Sequence, residues 1–140
     1  MKKPTNILFI CKYNRFRSRV AEAYFNKLNK NKNIHVKSGG IIVGHYPLDD
    51  DEIRVTKKLG INIDGRPQPV TTDKLKWQNM IVIVADNVPP YLFHFNKKRF
   101  GKTVRVWRIP DLRHDEDDKR TEQIAKMIMK HVESLVEELK

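Results

Sequence analysis

Asn6-Ile7-Leu8-Phe9-Ile10-Cys11-Lys12-Tyr13-Asn14-Arg15-Phe16-Arg17-Ser18 is the stretch on which the reading of this chain turns. Residues 6–11 read as a continuous apolar run, the pattern of a strand buried on both faces. Six mixed residues follow. From Ser18 the pattern becomes helical, with Val20, Ala21, Tyr24, Phe25 and Leu28 on one face. The opening unit is therefore strand, short loop, helix.

Such a loop can curl its backbone N–H groups around one anion, and the helix end adds positive dipole. Cys11 at the first position would lie beneath that anion. Arg17, six residues on, can grip two of its oxygens through a planar fork. The dipole, the converging N–H groups and Arg17 all favour an ionised sulfur over a thiol. Ser18 can donate its hydroxyl to that sulfur. These parts suit phosphoryl transfer, in which a protein mainly positions groups and stabilises spread negative charge. Read alone, a single Cys is a small buried hydrophobe; its neighbours point to chemistry.

Outward from this unit, the strand–helix alternation repeats. Residues 34–37 read as a short strand closed by Ser38-Gly39-Gly40. A loop with Gly44 and Pro47 leads to Asp49-Asp50-Asp51, acids suited to a helix N-terminus. Ile53, Val55, Leu59 and Ile61 give that helix an apolar face, and Gly60 suits its C-cap. Residues 65–69 carry two prolines and are irregular, and residues 71–77 make one or two helical turns. Residues 80–85 are the strongest buried strand. Pro89-Pro90 begins a short helix through Phe95, and residues 103–109 are a fourth strand stopped by Pro110. The last helix is placed on Ile124, Met127, Ile128, His131, Leu135 and Leu139. The expected fold is an α/β three-layer sandwich: a four-stranded parallel sheet, order 2-1-3-4, with helices on both faces. Ligands bind beyond the carboxyl ends of such strands, where the loop after the first strand lies.

The chain's 140 residues suit one domain, residues 1–140, without an interdomain linker. No run of 18 apolar residues exists, and the apolar run near the start is too short for a signal peptide; a cytoplasmic location is expected. One Cys excludes an internal disulfide and a thiolate metal site. The five histidines lack zinc-type spacing, so neither metal nor cofactor is expected. The net charge of +11 favours anionic partners, but the basic residues are dispersed rather than clustered as in nucleic-acid motifs.

The residues from Cys11 to Ser18 resemble the loop of the low-molecular-weight protein tyrosine phosphatases, Cys-x5-Arg-Ser near the N-terminus. The resemblance runs on in order. Asn14 stands where the family places a loop-shaping Asn, and Val20-Ala21-Glu22-Ala23 resembles its first helix. Ser38-Gly39-Gly40 resembles its Ser-Ala-Gly, and Leu59-Gly60-Ile61 its helix-ending segment. Ala85-Asp86-Asn87 is similar to the Met-Asp end of its third strand, and Trp107-Arg108-Ile109-Pro110-Asp111 to its hydrophobic-Pro-Asp-Pro segment.

The resemblance implies a phosphatase acting on phosphate monoesters, foremost phosphotyrosine in proteins, through a phosphocysteine intermediate. Cys11, Arg17 and Asp111 would be catalytic, with Asp111 protonating the leaving oxygen and later activating water. Read alone, Asp111 could equally cap the final helix. Lys12, Tyr13, Asn14, Arg15, Phe16, Arg17 and Ser18 would surround the phosphate. Asn14, Ser18, Ser38 and Asp86 would support the loop, although Asp86 could be a plain turn residue.

The chain also departs from the family. Leu112 follows Asp111 in place of Pro, and Leu112-Arg113-His114 stand where the family often has an aromatic pair. His45 or Tyr46 could wall the pocket instead, or equally be ordinary loop residues. A family His is missing near Gly65-Arg66. Lys12, Tyr13 and Arg15 replace smaller loop residues, and a cation at Arg15 should repel phosphoarginine and welcome acidic flanking sequence. Phe16 replaces a second loop Cys, which leaves Cys11 open to irreversible oxidation.

Rival readings are an arsenate reductase, which needs further cysteines of the same chain, and a phosphocysteine carrier, whose loop lacks Arg-Ser. A phosphate-binding regulator without catalysis is a third, and a nucleotide or nucleic-acid substrate is allowed by the charge.

Overall fold

A computed structural model describes residues 4–42, 47–63, 65–112 and 117–140. Four strands make one parallel sheet: β1 (Asn6–Cys11), β2 (His35–Gly40), β3 (Met80–Val84) and β4 (Thr103–Trp107), in the order β2-β1-β3-β4. The helices are α1 (Arg17–Leu28), α2 (Asp50–Lys58), α3 (Thr72–Trp77), α4 (His94–Phe100) and α5 (Asp118–Glu138). This is the three-layer α/β sandwich that the alternation of patterns implies.

Successive side chains of a strand point to opposite faces, and the two central strands fill both. Ile7, Phe9, Val82 and Val84 face a core with Val20, Ala21 and Phe25 of α1 and Ile124, Ile128, Val132 and Leu135 of α5. Leu8, Ile10, Ile81 and Ile83 face a second core with Leu75 of α3, Phe93 and Phe95. Both faces exclude water, which is why β1 and β3 read as unbroken apolar runs rather than alternating ones. Asp49 caps α2: its side chain accepts from the Glu52 N–H while the Glu52 side chain accepts from the Asp49 N–H. Gly60, just past α2, has φ 79°, the left-handed value that ends a helix.

Parallel pairing brings the strand ends to one edge. Cys11 lies opposite Gly40, and Val84 opposite Trp107. Everything that leaves the sheet at that edge (residues 12–16, 41–42, 85–88 and 108–112) therefore converges.

The elements differ from the sequence reading mostly at their ends. Ser38, Gly39 and Gly40 belong to β2, because they pair with Phe9, Ile10 and Cys11 instead of closing the strand. β4 stops at Trp107, since the Ile109 N–H already turns back to the Trp107 carbonyl. The helix expected to end at Phe95 continues: a 3₁₀ turn, Pro90–Phe93, runs into α4, which closes at Gly101 with φ 65°. On α5, Met127 and His131 are exposed, and the core stripe runs through Ala125 and Val132. The His131 ring instead stacks on Trp107 at 5.0 Å, capping the edge of the core. Among the described residues, no helix is long and apolar enough to cross a membrane.

Candidate active site

The loop between β1 and α1 is held from below by one side chain. Asn14, with φ 53°, is the one non-glycine residue among the described residues in the left-handed region, a conformation that Asn tolerates better than most. It is buried, and its whole amide is used. Oδ1 accepts from the Gln68 N–H at 2.7 Å. Nδ2 donates to Ser18 Oγ at 2.7 Å and to Ser38 Oγ at 2.9 Å. Ser38 in turn donates to Glu22 Oε1 at 2.7 Å. Since Asn14 fills an acceptor site on Ser18, the Ser18 proton is left for its other neighbour, Cys11 Sγ, 3.0 Å away. Asn14, Ser18 and Ser38 thus form a continuous chain of bonds that ends on the sulfur.

Backbone packing fixes the same loop from the side. Ile41 N–H donates to the Cys11 carbonyl and Ile42 N–H to the Lys12 carbonyl, so β2 continues past its end along the loop. Gly40 sits so close that a Cβ there would meet the Tyr13 carbonyl carbon at 2.6 Å and the Asn14 nitrogen at 2.7 Å. Only glycine fits.

Arg17 opens α1, and its side chain is 2% exposed. A guanidinium buried so deeply must find acceptors. Nη1 donates to the Ile109 carbonyl at 2.8 Å, and Nη2 to Asn87 Oδ1 at 2.9 Å. Asp111 Oδ2 lies 3.3 Å from Nη2, and Asp86 Oδ1 3.7 Å from Nη1. The structure therefore gathers Cys11, Ser18, Asn14, Ser38, Arg17, Asp86 and Asp111 at one edge. The final helix is capped by Asp117, whose side chain accepts from the Arg120 N–H, so Asp111 has no capping duty there. No side chain caps α1, and its first turn carries no acid; a helix start of that kind is suited to an anion.

The remaining loop side chains part company. Phe16 sinks into the core beside α1. Tyr13 stands exposed, with Lys12 Nζ 5.2 Å from its ring centre. Arg15 turns away to α2: its guanidinium pairs with both carboxylate oxygens of Glu52, and Nε donates to the Pro47 carbonyl at 3.2 Å. Burial pushes the Glu52 carboxyl up, against the hydrogen bonds from Arg15 that hold it down. The cation expected to face substrate at Arg15 is thus already paired, because a nearly buried carboxylate on α2 lies within its reach. His45, Tyr46, Arg113 and His114, weighed as pocket walls or replacements for the aromatic pair, lie outside the described residues.

Three contributors escaped the sequence reading. Asn87 was quoted only as a neighbour of Asp86, and Glu22 only as part of a helix segment. Glu52 follows Asp49-Asp50-Asp51 and carries no mark of its own in the sequence. Their partners lie 16 to 70 residues away, and no local pattern marks such pairings.

A sulfur, an arginine and a carboxylate gathered around an uncapped helix start at the carboxyl edge of a parallel sheet define a cysteine-based phosphatase of low molecular weight. Residues 6–140 match the family model of the low molecular weight phosphotyrosine protein phosphatases, and the chain belongs to that family. A search of curated protein sequences returns no match. Among solved structures, the chain is similar to the YwlE arginine phosphatase from Geobacillus stearothermophilus (TM-score 0.81, 19% identity, 97% of this chain and 93% of that one). It is similar also to the low molecular weight protein tyrosine phosphatase from T. tengcongensis (TM-score 0.80, 23% identity, 96% and 99%). A third likeness is to an arsenate reductase from Archaeoglobus fulgidus DSM 4304 (TM-score 0.70, 22% identity, 93% and 98%).

Proposed function

We propose that the protein hydrolyses phosphate monoesters, foremost phosphotyrosine in proteins, through a phosphocysteine intermediate on Cys11. The Cys11 sulfur attacks phosphorus from beneath as the bond to the leaving oxygen breaks. The backbone N–H groups of residues 12–17 and the Arg17 guanidinium bear the charge spread over the three remaining oxygens. Asp111 gives its proton to the leaving oxygen; its carboxylate then takes a proton from the water that releases phosphate and restores the thiolate. Ser18 holds the sulfur in place and, as a donor, stabilises it when it becomes the leaving group. Asn14, Ser38 and Asp86 keep the loop and Arg17 in register.

One observation carries this reading: Cys11 Sγ sits 3.0 Å from Ser18 Oγ at the loop's floor, while Arg17, buried at the same edge, lies 3.3 Å from Asp111. Arg17 thereby couples the site that would hold phosphate to the group that would protonate the leaving oxygen. The phosphotyrosine preference rests on the family and not on Arg15, whose charge is neutralised by Glu52. Arsenate reduction by the route of further cysteines is disfavoured, since Cys11 is the chain's one cysteine.

The test is hydrolysis of p-nitrophenyl phosphate and phenyl phosphate by the full chain and three variants. Cys11→Ser and Arg17→Ala should abolish turnover of both. Asp111→Asn should lose roughly 100- to 10,000-fold on phenyl phosphate, and clearly less on p-nitrophenyl phosphate, whose leaving group needs no proton. A wild type without turnover would make the protein a phosphate-binding regulator. Phosphotyrosine and phosphoarginine peptides assayed side by side should favour the former; a clear preference for phosphoarginine would refute the specificity.

A further inference from the structure

Two arginines leave the same short loop in opposite directions. Arg17 goes inward to the strand ends, at 2% exposure, whereas Arg15 goes outward to α2, at 25%. The outward one is held by an unusually complete receptor. Glu52 is 6% exposed and offers both oxygens to the Arg15 guanidinium, in the two-toothed geometry that suits arginine best. Glu52 is itself fixed, because Oε1 also accepts the Asp49 N–H at 3.1 Å in the helix cap. The Pro47 carbonyl takes Nε, and Asp49 Oδ2 stands 3.9 Å from Nη2. A surface lysine–glutamate pair would swing freely; here the acceptor is built into the start of a helix.

We infer that Glu52 is a positioning residue that withholds Arg15 from the phosphate cradle, so that Arg17 alone grips the phosphate. This rests on the proposed phosphatase function. An arginine rooted within the loop is long enough to fold back over the loop's centre. Released, Arg15 would add a second guanidinium to a site already furnished with convergent N–H groups. Binding would then rise for every phosphate-like anion, inorganic phosphate included. Uniform binding of that kind does nothing for the chemical step and slows departure of the product. Pairing Arg15 also removes repulsion between two cations that stand two positions apart in the chain. The capping box thus serves two ends: it starts α2 and parks a charge.

The experiment uses the full chain, p-nitrophenyl phosphate as substrate and inorganic phosphate as the competing probe. Glu52→Gln should lower the phosphate inhibition constant roughly tenfold, the lower end of what one charge-assisted hydrogen bond supplies. The gain should shrink with added salt, and the double variant Glu52→Gln with Arg15→Gln should return to the wild-type constant. A merely structural Glu52 would raise the constant instead, and that rise, or no change, would overturn the inference. So would tightening that survives in the double variant. If Glu52→Gln does not fold, Glu52→Asp takes its place: a carboxylate one methylene shorter cannot hold both guanidinium nitrogens where Glu52 does, so the constant should again fall, and an unchanged or raised constant would overturn the inference. Wild-type turnover beside an unresponsive Glu52→Gln defeats this inference only; a wild type that neither turns over nor binds phosphate defeats the proposed function with it.

Discussion

Asn14 and Gly40 shape the loop from opposite sides, one by what it bonds and the other by what it lacks. The peptide joining Tyr13 to Asn14 lies on the bare Cα of Gly40, where a Cβ would come within 2.6 Å of backbone. Gly40→Ala must therefore push the loop, because backbone on that side cannot yield as a flexible side-chain tip would. A shift of about 1 Å in a catalytic constellation can cost on the order of 100-fold in rate. We expect a loss of that size in kcat for Gly40→Ala, with α-helical circular dichroism retained. Activity within a few-fold of wild type would mean that the loop does not depend on this contact. The loop residues were legible in the sequence because Cys11, Arg17 and Ser18 stand at fixed spacing along one turn. Asn87, Glu22 and Glu52 were not, because each acts through a partner far off in the chain, and a sequence displays neighbours rather than encounters.

Among the elements, α1 and α5 meet over the sheet, and a polar bond is set into their apolar contact. Tyr24 of α1 donates its hydroxyl to Glu133 Oε2 of α5 at 2.6 Å. Burial first, and the bond to Glu133 second, push the Tyr24 hydroxyl up to about 12 from an ordinary value near 10. The folded state thus keeps this proton where the unfolded chain gives it up. Stability from this source is complete below pH 10 and drains away as pH climbs from 10 towards 12. Urea unfolding at pH 9 and pH 11 should show wild type losing more stability than Tyr24→Phe over that interval; equal losses would place the hydroxyl in water. The elements themselves were readable from hydrophobic period, but their ends were decided by pairing. Ser38 to Gly40 looked like a turn by composition, yet the register with Phe9 to Cys11 makes them strand. On α5 the apolar Met127 lies outside while Ala125 fills the core, since the angle at which a helix meets its sheet is not written in its own residues.

Over the whole molecule, the one thiol has no thiol partner within the chain. Peroxide converts a thiolate to sulfenic acid, which a second cysteine would trap as a disulfide; without one, oxidation runs on to sulfinic acid. Phe16, packed into the core next to the loop, stands where such a partner could have been. Treatment with peroxide should therefore inactivate the enzyme in a way that dithiothreitol restores only when it is added early. Full recovery after prolonged treatment would point to a protected intermediate. Phosphate present during treatment should slow the inactivation by covering the sulfur.

The carbonyl of Ile109 receives Arg17 from 92 residues away, and the Asp86 N–H as well. That single oxygen ties the first βα unit to the segment just past the last strand, so the centre exists only once nearly the entire chain has threaded into place. A nascent or half-folded copy carries its cysteine and its loop but has no seat for its arginine, and so should be catalytically silent. During refolding, activity should return after the helical signal rather than with it, because distant segments must meet before the arginine is seated.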